Sequence, residues 1–358
     1  MVGLTTTSIA GLAFVIILIG FIVYAAFNVV GGRAEVGSEI ELAPNRKQYF
    51  DDEELEGPRL ERMQLLGVLL LVVVTIGLPF YWILEPSRQA GAQEGWDKRF
   101  ASWGSELFEP TADGGFNCAG CHGGMSAEGG AAPFTVTDPV TNAVEAVNWK
   151  APALNTVFYK FDESEVEFIL NYGRPFSPMS PWGTIGGGPM TTQQIETLIE
   201  YLKSIQIPRQ GCLDDELGGD EYFDEQLCAS GVLPDSEAEK IQTAIEQAMA
   251  EDGVSEGEAI FNLELGSGAY SCARCHTIGW SYDDPGIPGQ GAYGWNLTGG
   301  ATNSHFATED DMVAFIKNGS EFGKLYGLSA QGSGRMPGFG SVLTDEQIRA
   351  VVEYVRSL

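Results

Sequence analysis

Cys272-Ala273-Arg274-Cys275-His276 is the stretch on which the reading of this chain turns, and Cys118-Ala119-Gly120-Cys121-His122 repeats its pattern in the first half. Cys-x-x-Cys-His is the spacing at which a c-type haem is attached. Two thiols reach the two vinyl groups on one porphyrin edge and form thioethers, and the next residue sets an imidazole under the iron. The two copies use four of the six cysteines and two of the three histidines. The competing readings are a zinc site or a redox Cys-x-x-Cys. Zinc wants four clustered ligands, whereas each pentapeptide offers three with no further Cys or His nearby. Cys118, Cys121 and His122 are therefore read as one attachment site, and Cys272, Cys275 and His276 as a second, for two covalently bound haem c groups.

The chain of 358 residues is long enough for two domains plus extra segments. Its net charge is −29, from 20 basic and 49 acidic residues. That balance argues against nucleic acid as a partner, which wants a basic surface. It suits docking to a basic partner, or equally a purely solubilising role.

Working outward to the N-terminus, residues 1–32 carry no charged side chain, and 8–30 is long enough to span a bilayer as a helix. The run lacks the basic start of a signal peptide and exceeds its apolar length. Residues 33–62 are highly charged. Residues 63–85 hold a second apolar run, with Tyr81 and Trp82 suited to an interface and Pro79 near one end. The reading is two transmembrane helices joined by a loop. That loop holds Arg33, Arg46, Lys47, Arg59 and Arg62, against Arg88, Lys98 and Arg99 after the second run and none before the first. The basic residues put the loop in the cytoplasm and everything after residue 85 outside it, where c-type haems are attached.

The remainder is an internal repeat. Gly104 and Phe108 recur 153 positions later as Gly257 and Phe261, as do Thr191 and Gln194 in Thr344 and Gln347, and Tyr201 in Tyr354. Each Thr-x-x-Gln is a capping box. It opens a helix whose apolar face, Ile195, Leu198, Ile199 and Leu202, recurs as Ile348, Val351, Val352 and Val355. Each repeat reads as an N-terminal helix, the motif, loops and a C-terminal helix. The Gly, Phe and Tyr suit close crossing of the first and last helices as plain core packing. Between the repeats, residues 206–252 form an acidic linker with Cys212 and Cys228. Outside the cytoplasm this leftover pair is most simply a disulfide. A calcium site in the acidic run lacks EF-hand spacing.

Each repeat resembles a class I cytochrome c, over residues 97–205 and 253–358. The resemblance implies an all-α fold: two N-terminal transmembrane helices followed by two cytochrome c domains. It also implies a methionine on a later loop as the second axial ligand. In the second repeat this is Met336, in Gly334-Arg335-Met336-Pro337-Gly338-Phe339-Gly340. In the first it is Met179, in Ser177-Pro178-Met179-Ser180-Pro181-Trp182-Gly183, with Met190 taken as core filler. His305 is read as an ordinary surface or loop residue. The family often has a proline whose carbonyl receives the proximal imidazole N–H, which orients the ring. Pro152 fits, whereas the second repeat departs from the pattern with Gly294-Trp295-Asn296-Leu297.

Such an arrangement resembles the dihaem c subunits of respiratory complexes. The leading expectation is an electron-transfer subunit of a quinol–cytochrome c reductase in the cell membrane, with cytochrome b and a Rieske protein as partners, passing electrons toward a terminal oxidase. A dihaem subunit of a haem-copper oxidase is the alternative. A dihaem peroxidase would need an open iron position, and a sensor would need an output domain. The chain is expected to carry electrons without substrate chemistry of its own.

Overall fold

The computed structural model describes residues 12–13, 15–24, 26–27, 57–137, 141–174, 177–212, 230–290, 293–321 and 335–358. Two compact units emerge, 1–87 and 88–358. Most of the 33–62 loop, much of the acidic linker and Cys228 lie outside the described residues.

In the first unit, helix α1 (Val15–Tyr24) falls within the first apolar run. Helix α2 (Pro58–Phe108) is long and apolar enough to cross a membrane. Its apolar residues from Met63 to Leu84 are exposed almost without exception. A helix apolar on every side asks for apolar surroundings. The sequence pattern ends the second span at residue 85 and starts the repeat at 97. Here one helix runs on through Pro79 and Pro86. Each proline removes one backbone donor, but the Arg-Gln-Ala-Gly-Ala-Gln-Glu run after Ser87 contains mostly helix formers.

The second unit holds both repeats. The first comprises the end of α2, α3 (Cys118–His122), a hairpin, α4 (Glu163–Tyr172) and α5 (Thr192–Ser204). The second comprises α7 (Glu256–Phe261), α8 (Ala273–His276), α9 (Glu309–Asn318) and α10 (Asp345–Ser357). The first and last helices of each repeat cross closely. A Cβ on Gly104 would lie 2.0 Å from the Thr197 carbonyl oxygen, and one on Gly257 would lie 2.0 Å from that of Ala350. Beside each glycine two rings pack at a tilt, Phe108 against Tyr201 at 5.2 Å and Phe261 against Tyr354 at 5.4 Å. Both predicted capping boxes form, at Thr191/Gln194 and Thr344/Gln347.

The all-α expectation is corrected. Strands β1 (Gly130–Thr137) and β2 (Val144–Ala151) pair antiparallel, Gly130 opposite Ala151 and Thr137 opposite Val144. The fold is mostly helical with one hairpin among the described residues. The ladder satisfies the backbone groups of a segment too exposed to form a core of its own. Only its base is anchored, where Trp149 packs against Phe134 at 5.7 Å and Tyr282 of the second repeat at 5.3 Å.

The stretch read as a linker also does structural work. Helix α6 (Asp235–Asp252) turns Ile241 and Ile245 inward, fully buried in the second repeat's core. That core also takes in Ala153 and Tyr159 of the first repeat.

Candidate haem-binding cavity

The first motif folds as a single helical turn, so Cys118, Cys121 and His122, at i, i+3 and i+4, share one face. The second does the same through α8, where the His276 N–H donates to the Cys272 carbonyl at 3.0 Å. Both cysteine pairs, both histidines, Met179 and Met336 line one continuous cavity. Met190 is absent from the lining and fully buried in the core of the first repeat. The exposed His305 ends a short helix and borders the cavity, with its ring 6.2 Å from that of Trp295.

The two imidazoles are held alike. His122 Nδ1 lies 2.8 Å from the Pro152 carbonyl oxygen, and His276 Nδ1 lies 2.8 Å from that of Trp295. A carbonyl only accepts, so Nδ1 carries the proton in both rings and leaves the Nε2 lone pair for a metal. Burial holds both histidines below the ordinary imidazole value, which keeps them neutral. The departure at Trp295 costs nothing in geometry because the group used is a backbone carbonyl. What brings that carbonyl in is Gly294. A Cβ there would lie 2.5 Å from His276 Cε1, so only glycine lets the chain pass the ring so closely.

The methionine loops have a shared frame. Gly173 ends α4 with φ 72° and Gly319 ends α9 with φ 73°. The next residue in each case donates its N–H to the methionine carbonyl, Arg174 to Met179 at 2.8 Å and Ser320 to Met336 at 3.0 Å. Three residues on, Trp182 N–H returns to Leu170 and Phe339 N–H to Ile316. Met179 is thus the structural counterpart of Met336.

Burial pushes the Cys118 thiol up to about 11 and that of Cys272 up to about 12. A redox Cys-x-x-Cys would hold one thiol low, whereas burial raises both Cys118 and Cys121. Among the described residues no group of three or more His, Cys, Asp or Glu side chains is arranged to hold a metal ion.

The cavity also has a charge character that the chain as a whole lacks. Lys150, Lys160, Arg174, Arg274 and Arg335 line it, and among the described residues no carboxylate does. Lys150 is paired with Glu264 and Asp283. Arg274 spends its guanidinium on the carbonyls of Gly268, Ser267 and, from the first repeat, Lys150. The Lys160 ammonium, donating to the Ala269 carbonyl, is brought down to about 8 by burial first and by its cationic neighbours. Two buried groups in the lining, Trp295 Nε1 and Thr302 Oγ1, find no protein partner among the described residues. An apolar cleft with basic side chains and orphaned donors fits a porphyrin, whose ring is apolar and whose carboxylates are anionic.

Residues 254–355 match the family described as cytochrome c oxidase, cbb3-type, subunit III. No curated protein matches the chain. Among solved structures, a chain of the Kuenenia stuttgartiensis reducing HAO-like protein complex is 18% identical. That likeness covers 71% of this chain and 94% of the other, at a TM-score of 0.22, too low for a shared fold. The C-terminal region is a cytochrome c domain, which implies covalently bound haem c and electron transfer.

Proposed function

We propose that the chain is a membrane-anchored dihaem electron carrier, with the first repeat a second cytochrome c domain. The observation that carries this reading is the duplicated site. In both repeats a Cys-x-x-Cys-His turn, an imidazole with Nδ1 committed to a carbonyl at 2.8 Å and a loop methionine line the same cavity. Cys118 and Cys121 would hold one haem c and Cys272 and Cys275 the other, with His122 and Met179, and His276 and Met336, as axial ligands. When bound, haem c supplies a one-electron iron couple, and an imidazole with a thioether raises its potential relative to two imidazoles. With a histidine and a methionine available to each iron, the chain would carry electrons and perform no turnover alone.

The remaining features follow the same reading. The apolar run at 8–30, within which α1 lies, and α2 would cross the membrane, with the 33–62 loop cytoplasmic and both repeats outside. Cys212 and Cys228 are proposed to pair as a disulfide on that oxidising side. As owner we favour a quinol–cytochrome c reductase, where the chain would accept electrons from a Rieske centre beside cytochrome b and pass them toward a terminal oxidase. One observation favours the second reading, a haem-copper oxidase subunit, namely the family matched by residues 254–355. Gentle solubilisation followed by identification of the co-purifying subunits separates them. Cytochrome b and a Rieske protein support the first, a haem-copper subunit supports the second, and steady peroxide consumption by the isolated chain refutes both.

A further inference from the structure

Arg335 immediately precedes Met336, yet its side chain belongs to the other repeat. The guanidinium meets the carboxylate of Glu165, on α4 of the first repeat, through two parallel bonds. Nη2 lies 2.7 Å from Oε2, and Nε bonds Oε1. Nη2 also donates to the Lys160 carbonyl at 3.3 Å. The remaining arm, Nη1, turns back to the Ser320 carbonyl at 3.1 Å. Ser320 in turn holds both backbone polar groups of Met336. Its N–H donates to the Met336 carbonyl at 3.0 Å and its Oγ accepts the Met336 N–H at 3.0 Å. Glu165, Arg335, Ser320 and Met336 thus form one unbroken chain of hydrogen bonds.

Glu165 is only 2% exposed and the Arg335 side chain 16%. A charge pair this far from water is retained only when its geometry is fixed, and a bidentate Arg–carboxylate fork is the form that fixes it best. Glu165 is at the same time the third residue of α4's capping box, accepting from the Asp162 N–H at 3.0 Å. Its carboxylate is therefore itself positioned before it meets Arg335. The corresponding capping residue of the second repeat, Asp311, is exposed.

We infer that Glu165 of the first repeat is a positioning residue for Met336 of the second, acting through Arg335 to clamp the loop that presents the thioether. This rests on Met336 being an axial ligand. A neutral thioether is a weak partner for iron beside an imidazole, so how firmly its loop is held decides how readily another ligand replaces it. The first repeat sets that firmness for the second site, and the two repeats are not independent modules.

The test uses the full, haem-loaded chain in detergent. Glu165→Gln keeps the volume and an acceptor for Asp162 but removes the charge and the symmetric fork. Arg335→Lys keeps the charge and loses the fork. Exogenous imidazole should displace one of the two thioethers at roughly tenfold lower concentration in either variant, read from loss of the red Met–iron band. The other haem should be unchanged, and combining the substitutions should add little. Thr191→Ala, which breaks the cap of α5 elsewhere in the first repeat, should leave the displacement at its native concentration. Unchanged displacement in both Glu165→Gln and Arg335→Lys would overturn the clamp, as would an equal effect from Thr191→Ala. Met336→Ala reports on the underlying reading separately. If that variant keeps the full band, Met336 is not a ligand and the failure lies there.

Discussion

The two repeats bind their imidazoles by the same bond and hold their methionine loops by different ones. His122 and His276 each give Nδ1 to a carbonyl 2.8 Å away, one from a proline and one from a tryptophan. The Met179 loop is closed by Ser177, whose Oγ donates to the Arg174 carbonyl at 2.8 Å and accepts the Met179 N–H at 3.2 Å, and Ser177 in turn meets the Tyr293 hydroxyl of the second repeat. The Met336 loop is closed by Ser320 and then tied across to Glu165. Where Arg335 sits in the second repeat the first has Pro178, which has no side-chain donor. A duplicated site can thus keep its imidazole–carbonyl bond while its two methionine loops are tied across the repeats by different partners.

The largest test of the equivalence removes the attachment chemistry. Replacing Cys118 and Cys121 with Ser should leave one covalently bound haem per chain on a denaturing gel stained for haem. Replacing Cys272 and Cys275 should leave the other. Complete loss from either double variant would mean that one repeat cannot mature without its neighbour, which the shared packing of Ala153 and Tyr159 into the second core makes a real alternative outcome.

Next in size is the methionine comparison. Met179→Ala and Met336→Ala should each remove about half of the red Met–iron absorption. Met190→Ala should leave the band and instead cost about 2–5 kcal/mol in chemical denaturation, because Met190 is a fully buried core side chain. Loss of the band on replacing Met190 would reverse the assignment.

What could be read from the sequence, and what could not, divides along distance in the chain. The motifs and the capping boxes are local patterns whose side chains announce their roles, and the Gly–Phe–Tyr crossing shows because the same three residues recur 153 positions on. Met179 could be preferred over Met190 because Pro and Trp-Gly around it echo the surroundings of Met336. The hairpin was hidden because only its base is anchored, so Gly130-Ala131-Ala132-Pro133-Phe134 shows no clean alternation of apolar and polar residues. The role of Trp295 was hidden for another reason. The group that acts is its carbonyl, and the residue that permits it is the neighbouring Gly294. Glu165 and Arg335 lie 170 positions apart, and nothing local in either marks the pair. Helix α6 reads as acidic linker because only Ile241 and Ile245 are buried along its 18 residues.

A smaller effect sharpens the comparison of the helix crossings. Alanine at Gly104 or Gly257 would push a methyl to 2.0 Å from a backbone carbonyl oxygen in the partner helix. In an exposed helix Gly→Ala stabilises by about 1 kcal/mol. Here overpacking should prevail, and both variants should lose roughly 1–3 kcal/mol. Near-equal losses are expected because the two approaches are equal. A gain at Gly104 alone would show that the first crossing yields more readily than the second.

The smallest predicted difference lies at the caps of α5 and α10. Thr191 and Thr344 accept the N–H of Gln194 at 3.3 Å and of Gln347 at 3.2 Å, so each Thr→Ala change should cost about 1 kcal/mol. The glutamines should not be equivalent. Among the described residues the Gln194 side chain accepts only from its own cap residue, through the Thr191 N–H at 2.9 Å and its hydroxyl at 3.1 Å. Gln347 accepts from the Thr344 N–H at 2.9 Å and in addition donates to Gln242 of α6 at 3.0 Å. It is also the more buried of the two. Truncating it leaves Gln242 without that donor and loosens the contact through which α6 joins the second core. Gln347→Ala should therefore destabilise by roughly 0.5–1.5 kcal/mol more than Gln194→Ala, measured by denaturant unfolding of the same haem-loaded preparation. Adding Gln242→Ala to Gln347→Ala should recover none of the loss and add little to it. Full additivity of the two changes would show that the glutamines do not act as a pair, and that α6 is held to the second repeat by Ile241 and Ile245 alone.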